Sequence, residues 1–527
     1  MFKTKRAAKQ VKYHAGRDGS PSRPSIPPVS VSKWYRISAG RFLGLLAAGA
    51  VCIAVLHAEE RRPNLNVLLI TADDLGDHSV GAFGGKPEGL TPNLDRLAGQ
   101  GMRFFNAHVN AAICQPSRTV LGTGLYPHRS GGMGFMHANP GTPNVLPLFQ
   151  KAGYLTGILG KVKHSTPCKE DKWDYSFDQL ELGDGRSPTI YYQRCVDFFR
   201  KCQDEKKPFY FMVNSHDPHR PFQYRGPLEN GAEAPSRYYT PSEVAVPGCV
   251  PDLPAVREEL AAYQNSVRRL DDTVGKVLQA LEESGAANNT LVMFLSDNGA
   301  AIPFAKCNTY LASTRTPWIV RWPGVVKPGS ADKKHLISGI DFLPTVLDAA
   351  GIKSPERFDG KSFLPLLEGK EQAGREIVFT QIDRKSGGAA VPMRCAQSSH
   401  YAYIFTPWSD GVFRYSNNNE GETMKAMESA AKSSPEIAAR VHLFRHRVPE
   451  EFYDLKEDPA CLVNLISSPA HIKELDQMRN ALGQWMKETN DPLLAAFLAR
   501  DDVTKRVDLM KAALPDKKRA QKVEGEE

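Results

Sequence analysis

The segment NVLLITADD, residues 66–74, is the stretch from which the fold class of this chain follows. Its first seven residues are largely apolar, and such a run predicts a strand that is buried on both faces of a parallel sheet. The run stops abruptly at Asp73 and Asp74. Two carboxylates therefore follow the predicted strand directly.

Three later segments repeat this pattern of an apolar run that ends in polar or ionisable residues. They are LTGIL at 155–159 before Lys161 and His164, PFYFMV at 208–213 before His216, and TLVMFL at 290–295 before Asp297 and Asn298. Helical segments are predicted between several of them, at 91–98, at 146–153 and around 260–281. Strands that alternate with helices predict a mostly parallel α/β sheet flanked by helices, in which ligands bind beyond the carboxyl ends of the strands. We therefore expect the polar residues at these ends to share one rim.

The segment CQPSR, residues 114–118, places a small sulfur side chain at a turn that opens a short helix. We predict that this helix covers 118–121 and ends at Gly122, with Pro116 in its first turn, where a missing N–H costs nothing. A cysteine at a helix N-terminus lies in positive potential, so an anion is favoured there. Alone, the segment is more typical of a buried structural cysteine beside an ordinary helix start.

The acidic residues after the first and fourth predicted strands suggest a metal site. Asp73, Asp74, Asp297 and Asn298 offer three carboxylates and an amide oxygen, a set that suits calcium or magnesium rather than zinc. Each pair alone also has an ordinary interpretation, Asp-Asp as a helix cap and Asp-Asn-Gly as a turn. Their recurrence at strand ends favours the shared site.

CQPSR, followed by TVLGTG at 119–124, resembles the signature of the type I sulfatases, and the resemblance extends over roughly residues 64–464. Later landmarks are GIDFLPT at 339–345, DGKS at 359–362 and EFYDL at 451–455. The resemblance implies the alkaline-phosphatase/sulfatase fold and a formylglycine nucleophile made from Cys114 by a formylglycine-generating enzyme. It also implies that Asp73, Asp74, Asp297 and Asn298 bind calcium, in preference to magnesium, together with the modified Cys114.

The same resemblance implies a role for each remaining site residue. Lys161 and Lys306 would hold sulfate oxygens, and Arg118 would steady the diol of the hydrated aldehyde. His216 or His164 would protonate the leaving group. The family places a histidine two residues after the lysine, whereas here Lys161 and His164 are three apart and Lys163 occupies the expected position.

HDPHR at 216–220, IPF at 302–304 and PMR at 392–394 resemble the sulfamidase branch of the family, which acts on N-sulfoglucosamine groups of heparan sulfate or heparin. The predicted substrate is therefore a sulfated saccharide, with that group as the leading candidate. Three alternatives stay open: an O-sulfated glycan, a phosphonate or phosphate monoester substrate, and binding of a sulfated glycan without catalysis.

The net charge of +8 is concentrated at the N-terminus. Residues 1–41 carry a surplus of nine positive charges, so the rest of the chain has a net charge of −1 and gives no argument for a nucleic-acid partner. The basic stretch leads into fifteen apolar or small residues, 42–56, a length typical of a signal peptide rather than a membrane span. We predict cleavage near Ala58 and export, to the periplasm or medium in a bacterium and to the lysosome or secretory pathway in a eukaryote.

The chain length predicts more than one domain. We expect a basic leader and signal peptide at 1–58, a catalytic domain at 59–376, a smaller antiparallel sheet-and-helix domain at 377–498, and a charged, solvated tail at 499–527. Apart from Cys52 and Cys114, seven cysteines without close pairs match neither a disulfide framework nor a zinc pattern. The sequence does not indicate an oligomeric state.

Overall fold

A computed structural model of the chain describes residues 64–516, apart from residues 229, 355, 356 and 418. The predicted leader and signal peptide at 1–58 therefore lie outside the described residues, as does the end of the predicted tail from residue 517. Within the described part of the chain, no helix combines the length and the apolar character that crossing a membrane requires.

The described strands and helices are numbered separately in chain order. The strands are β1 Asn66–Ala72, β2 Met102–Phe104, β3 Ala107–His108, β4 Leu155–Leu159, β5 Tyr175–Phe177, β6 Phe209–Asn214, β7 Thr290–Ser296, β8 Trp318–Arg321, β9 Ser330–Asp332, β10 Ile337–Ser338, β11 Val378–Arg384, β12 Ala390–Gln397, β13 Tyr401–Phe405 and β14 Glu450–Asp454. The α-helices are α1 Pro92–Gly99, α2 Cys114–Thr123, α3 Pro127–Ser130, α4 Val145–Lys151, α5 Val162–Ser165, α6 Pro188–Glu205, α7 Pro254–Glu283, α8 Leu311–Thr314, α9 Phe342–Ala350, α10 Leu364–Leu367, α11 Gly421–Ala430, α12 Pro435–His446, α13 Ile472–Glu488, α14 Leu494–Leu498 and α15 Val503–Ala513. Short 3₁₀ turns connect several of them.

The main sheet has the strand order β5-β4-β6-β1-β7-β8-β2-β9. The four strands predicted from the sequence are β4, β6, β1 and β7, which are neighbours in that order and parallel to one another. Only β8 breaks the direction, because it runs antiparallel to both β7 and β2. The predicted mostly parallel α/β sheet is confirmed, and the carboxyl ends of its four central strands meet at one edge.

Alternation along β1 explains why both faces of the sheet are covered. Leu68 and Ile70 belong to one buried cluster, which includes residues of α6 and α7, and Val67 and Leu69 belong to a second on the other face. Successive side chains of a strand point to opposite faces, so a run that is apolar throughout supplies both cores.

A second sheet has the order β11-β12-β13-β14 and is antiparallel throughout. Helix α13 packs against it, with Leu482 and Trp485 buried, so the predicted smaller antiparallel sheet-and-helix unit is confirmed. The boundaries placed at 376 and 498 remain predictions.

The segment after residue 498 is not simply solvated, as its charge suggested. Helix α15 buries Arg506, whose guanidinium donates hydrogen bonds to the carbonyls of Pro407 and Ser409. Arg384 of β11 donates to the carbonyl of Pro515, 2.8 Å away. Residues 503–516 therefore pack on the small sheet. A segment of mixed charged and apolar residues can do this because apolar side chains can face the protein while most of the charged side chains face water.

Candidate active site

The polar residues that follow the four central strands lie together at the carboxyl edge of the sheet. Asp73 and Asp74 follow β1, Lys161 follows β4, and Asp297 follows β7. The three carboxylates place oxygen atoms within 4.8 Å of one another, and all three side chains are fully buried. The geometry joins residues that are more than 200 positions apart in the sequence.

Cys114 is the first residue of α2 and faces this cluster. Its Sγ lies 3.3 Å from Oδ1 of Asp73. The helix begins four residues earlier than the sequence predicted and ends at Thr123, with Gly124 as a left-handed cap at φ 64°. Because the helix starts at Cys114, the side chains of Cys114 and Arg118 are one turn apart and face the same way.

Each carboxylate of the cluster has a cation of its own. The ammonium of Lys161 contacts Oδ2 of Asp73. The ammonium of Lys306 lies 2.5 Å from Oδ1 of Asp74. The guanidinium of Arg118 lies 2.7 Å from Oδ2 of Asp297. Three positive charges thus balance three carboxylates beside the cysteine, and a cation bound to the carboxylates would leave the site favourable for an anion.

Burial and these charges shift the ionisation of the site. Burial opposes the charged form of Asp73, but the neighbouring cations, Lys161 foremost, hold its pKa well below the usual range. Burial raises the pKa of Asp297 to about 7, against the pull of Arg118 and with repulsion from Asp73. Burial, together with the adjacent carboxylate of Asp73, raises the pKa of the Cys114 thiol well above the usual range. The thiol therefore stays protonated, the less nucleophilic form.

The donor set fits a hard metal ion. Oδ2 of Asp74 and Oδ1 of Asn298 are buried and have no hydrogen-bond partner among the described residues. Buried oxygens without partners are rare and carry a cost, which a bound cation would remove. Three clustered carboxylates also repel one another. Asp73, Asp74 and Asp297 could therefore bind a metal ion, with the oxygen of Asn298 as a fourth ligand.

The structure adds polar residues that the sequence did not single out. Thr71 and Asn214 are paired across β1 and β6, and both accept hydrogen bonds from Nη1 of Arg118, at 2.8 and 2.7 Å. They are polar residues at the ends of otherwise apolar strands, a signal that was visible in the sequence. They fix the guanidinium that pairs with Asp297.

Two histidines of the loop after β6 have different surroundings. His216 accepts a hydrogen bond at Nε2 from the backbone N–H of Lys161, 3.3 Å away, so this nitrogen is used in holding the backbone. His219 donates from Nδ1 to the carbonyl of Arg220, at 2.6 Å, and its Nε2 groups with Asp73 and Cys114 as possible ligand atoms. The geometry argues against His216 as the proton donor and points to His219, which the sequence analysis did not single out.

His164 lies in α5 beside the cluster. The charges of Lys161, Asp73 and Arg118 all reach it, and burial, reinforced by Lys161, lowers its pKa to about 3. Its ring packs edge-to-face against Phe135 at 5.3 Å, and its Nδ1 has no hydrogen-bond partner in the described structure. The predicted catalytic role of His164 remains a prediction. Lys163 is exposed, whereas Lys161 reaches the cluster.

Four site residues adopt left-handed backbone conformations that side chains rarely take. Asp74 has φ 74° and Lys161 has φ 52°, each just after a strand, while Phe304 and Cys307 flank Lys306 with φ 68° and 56°. Such residues cost about 1–3 kcal/mol each and persist where the surroundings hold them. Their clustering around the buried charges marks this edge as a functional site.

Comparison with known proteins agrees with this location. A family model described as sulfatase matches residues 65–352, which include all the clustered carboxylates, Cys114 and Lys306. Human N-sulphoglucosamine sulphohydrolase is 32% identical, in an alignment that covers 84% of this chain and 94% of the relative.

Solved structures share the fold at lower identity. The protein BT4656, solved in complex with its substrate D-glucosamine-2-N,6-O-disulfate, is 20% identical, with a TM-score of 0.60 over 81% of this chain and 98% of that protein. A phosphonate monoester hydrolase of Agrobacterium radiobacter is 18% identical, with a TM-score of 0.61 over 81% of this chain and 96% of that protein. At these identities the likeness concerns the fold alone.

Proposed function

The chain belongs to the sulfatase family, and from this premise we propose that it removes sulfate from sulfated saccharides, with N-sulfoglucosamine groups of heparan sulfate or heparin as its leading substrate. The main support is the 32% identity to human N-sulphoglucosamine sulphohydrolase, over 84% of this chain and 94% of that protein. The positive charges of Lys161, Lys306 and Arg118 near Cys114 give a physical reason for this substrate, because they attract the negative charge of a sulfate group.

We assign the sulfate oxygens to the two ammonium groups. Lys161 contacts Asp73 of the cluster, and Lys306 contacts Asp74. Charge-assisted hydrogen bonds from both would hold the sulfate in one orientation and stabilise the negative charge that grows as the bond to sulfur breaks. Arg118, fixed by Asp297, Thr71 and Asn214, would keep the nucleophilic position at residue 114 in place.

We assign the leaving-group proton to His219. The nitrogen or oxygen that departs from sulfur needs a proton, because an amide or alkoxide anion leaves poorly. Nδ1 of His219 is engaged with a carbonyl, so Nε2 is the nitrogen that faces the cluster. Burial, with Lys306 and Lys161, lowers its pKa to about 4, and a bound sulfate anion would raise it again.

Two groups would complete the site. Formylglycine, formed from Cys114 by a formylglycine-generating enzyme, would supply the hydroxyl that attacks sulfur. A calcium ion held by Asp73, Asp74, Asp297 and Asn298 would neutralise the sulfate and polarise it as a Lewis acid. The buried, unpartnered oxygens of Asp74 and Asn298 support the ion, and the small side chain at the helix start next to Asp73 leaves the position for the hydroxyl.

We also propose that the protein acts outside the cytoplasm. We propose that the basic and apolar leader directs export and is removed near Ala58, so that the mature protein meets sulfated polysaccharide in the periplasm, the medium or a lysosome.

The decisive experiment pairs a mass with an activity. The protein is expressed with a formylglycine-generating enzyme, the intact mass of the peptide containing Cys114 is measured, and sulfate release from N-sulfoglucosamine is followed. We expect conversion to the aldehyde and sulfate release, both lost in Cys114→Ala. Cys202→Ala, on α6, is the matched control and should retain both.

Every other outcome shows which part of the proposed function is wrong. Conversion without release would reject the N-sulfo substrate, and O-sulfated sugars and phosphonate esters would then be assayed. An unmodified thiol despite an active maturation enzyme would remove the nucleophile and leave binding without catalysis.

A further inference from the structure

Phe135 is an exposed aromatic residue on an ordered loop. Its side chain is 40% exposed, and within the described residues only Tyr224 and Phe413 are aromatic side chains of comparable exposure. The loop 131–138 is held at both ends, by hydrogen bonds from Asn139 N to Ser130 O and from Ala138 N to Pro167 O. A ring carried by an ordered loop loses less entropy on binding than one on a loop that must first be ordered.

One side of this loop borders α2, the helix that begins at Cys114, and α5, the helix that follows Lys161. A Cβ at Gly132 would lie 2.8 Å from the methyl carbon of Thr119, which belongs to the helix that begins at Cys114. The Phe135 ring itself packs against His164, 5.3 Å away. His164 follows Lys161 and feels the charges of Lys161, Asp73 and Arg118, so the ring stands beside the catalytic cluster.

The other side of the loop borders the small sheet. A Cβ at Gly134 would lie 3.1 Å from Cβ of Arg384, the last residue of β11. The next residue, Lys385, affects the ionisation of Cys307, which adjoins Lys306. The loop that carries Phe135 thus contacts His164 of α5, the helix that follows Lys161, on one side and the end of β11 in the small sheet on the other.

From this position we infer that Phe135 is a specificity-determining residue, whose exposed ring stacks against the sugar ring that carries the sulfate. The inference rests on the proposed saccharide substrate. A pyranose presents an apolar C–H face, and an aromatic ring is the flat apolar partner that matches it. The lysines would then select the sulfate, and Phe135 would select a saccharide over other sulfate esters.

Four variants separate stacking from simple packing. Phe135→Tyr and Phe135→Trp keep a flat ring, Phe135→Leu keeps apolar contact with His164 without a ring, and Phe135→Ala removes both. Steady-state kinetics with N-sulfoglucosamine and with glucosamine 6-sulfate are measured for each, together with competitive inhibition by inorganic sulfate. Thermal unfolding checks that each variant folds.

We expect the Leu and Ala variants to raise KM roughly 3- to 10-fold, as the loss of an aromatic contact predicts, with kcat and the sulfate inhibition constant unchanged. The Tyr and Trp variants should keep KM within about twofold. A Leu variant equal to the native enzyme would overturn the inference. So would a fall in kcat at constant KM, because Phe135 would then act through His164.

The design separates this inference from the proposed substrate. If only glucosamine 6-sulfate is hydrolysed, the N-sulfo assignment fails, and the stacking inference is decided on the O-sulfated sugar. If neither sugar is hydrolysed, both are titrated by calorimetry into Cys114→Ser and into Cys114→Ser combined with Phe135→Ala. Weaker binding to the second supports stacking, and equal or absent binding rejects it.

Discussion

At the scale of single residues, one glycine determines where the His216 ring can lie. A Cβ at Gly185 would be 2.4 Å from Cδ2 of His216, and its φ is 68°. The ring in turn accepts the backbone N–H of Lys161 at 3.3 Å. A side chain at position 185 would therefore displace first the imidazole and then the strained lysine that contacts Asp73.

We predict that Gly185→Ala lowers kcat/KM at least tenfold, since misplacing a catalytic group by about 1 Å can cost a hundredfold. It should also lower the melting temperature. Gly89→Ala is the matched control, because Gly89 has nearly the same φ, 71°, and nothing within 4 Å of its Cβ position. The control should lose about 1 kcal/mol of stability and keep its activity. Equal activity in the two variants would contradict the positioning role of His216.

The unpartnered oxygens of the site lead to a second prediction at this scale. Calcium should bind the folded protein and stabilise it, by about 2.7 kcal/mol at a concentration of 100 Kd. Asp74→Asn should abolish the stabilisation, because it removes the charge of a proposed ligand whose Oδ2 has no hydrogen-bond partner among the described residues. Thermal unfolding with and without calcium measures this stabilisation directly.

Asp95→Asn is the control and should still respond to calcium. The carboxylate of Asp95 lies on α1 and accepts a hydrogen bond from the backbone N–H of Ala82. A calcium shift that survives in Asp74→Asn would place the ion elsewhere.

At the scale of elements, helix α7 holds the loop that carries His219. Arg269 of this helix donates to both carboxylate oxygens of Asp217, at 2.6 and 3.0 Å, and the pair is almost fully buried. The carbonyl of Asp217 accepts from the backbone N–H of Asp73 at 3.2 Å. Arg186 adds a hydrogen bond to the carbonyl of His219 at 3.1 Å. The loop is thus tied to the carboxyl end of β1, where Asp73 and Asp74 lie.

Arg269→Leu should destabilise the protein by about 3–5 kcal/mol, because it leaves the carboxylate of Asp217 buried without its main partner. The neighbouring Arg268 is partly exposed and pairs with Asp272 at 3.4 Å, so Arg268→Leu should cost only about 1 kcal/mol. Chemical denaturation of both variants gives the comparison. A loss of similar size in both would show that the Asp217 pair has no special weight.

The sequence predicted the elements that bear the site better than the side chains within them. A strand buried on both faces must be apolar along its length, so β1, β4, β6 and β7 and the polar residues that end them were recognisable. The loop after β6 holds two histidines three residues apart, and its backbone path decides that His219, rather than His216, faces Cys114. A loop has no regular side-chain periodicity, so the sequence could not predict which of the two histidines faces Cys114.

The start of α2 shows a second limit. The sequence placed the helix at 118–121, whereas the structure begins it at Cys114 and carries it through Gly122. Pro116 is compatible with any position in the first turn, so it did not fix the first residue. The packing of the whole helix, buried from Cys114 to Thr123, overrides the helix-breaking tendency of Gly122.

At the scale of the whole molecule, the two sheets share one hydrophobic core. The cluster that contains Leu68 and Ile70 of β1 also contains Met393 of β12 and Tyr403 of β13. The sequence separated these regions into two domains because their strand patterns differ, a parallel run against an antiparallel alternation. Tertiary packing decides which apolar residues come into contact when they are 300 positions apart in the sequence. The local sequence pattern does not predict such contacts.

The C-terminal segment belongs to the same core, to which it contributes Val507, Met510 and Leu514. Residues 503–516 cover the small sheet through Arg506, through the bond from Arg384 to Pro515, and through a bond from the N–H of Ala390 to Asp516. Deleting residues 503–527 leaves the carbonyls of Pro407 and Ser409 and part of the guanidinium of Arg384 without partners, at a cost of about 1–3 kcal/mol for each group that stays buried.

Hydrogen exchange should then speed up in β11, β12 and β13, while β1, β6 and β7 stay protected, since the contacts of the central strands are untouched. Deleting only 517–527 is the matched control and should leave exchange unchanged, because it keeps Arg506, Pro515 and Asp516, which make these contacts. Faster exchange in the central strands as well would show that the shared core transmits the loss across the molecule, and the two sheets would then unfold as one cooperative unit.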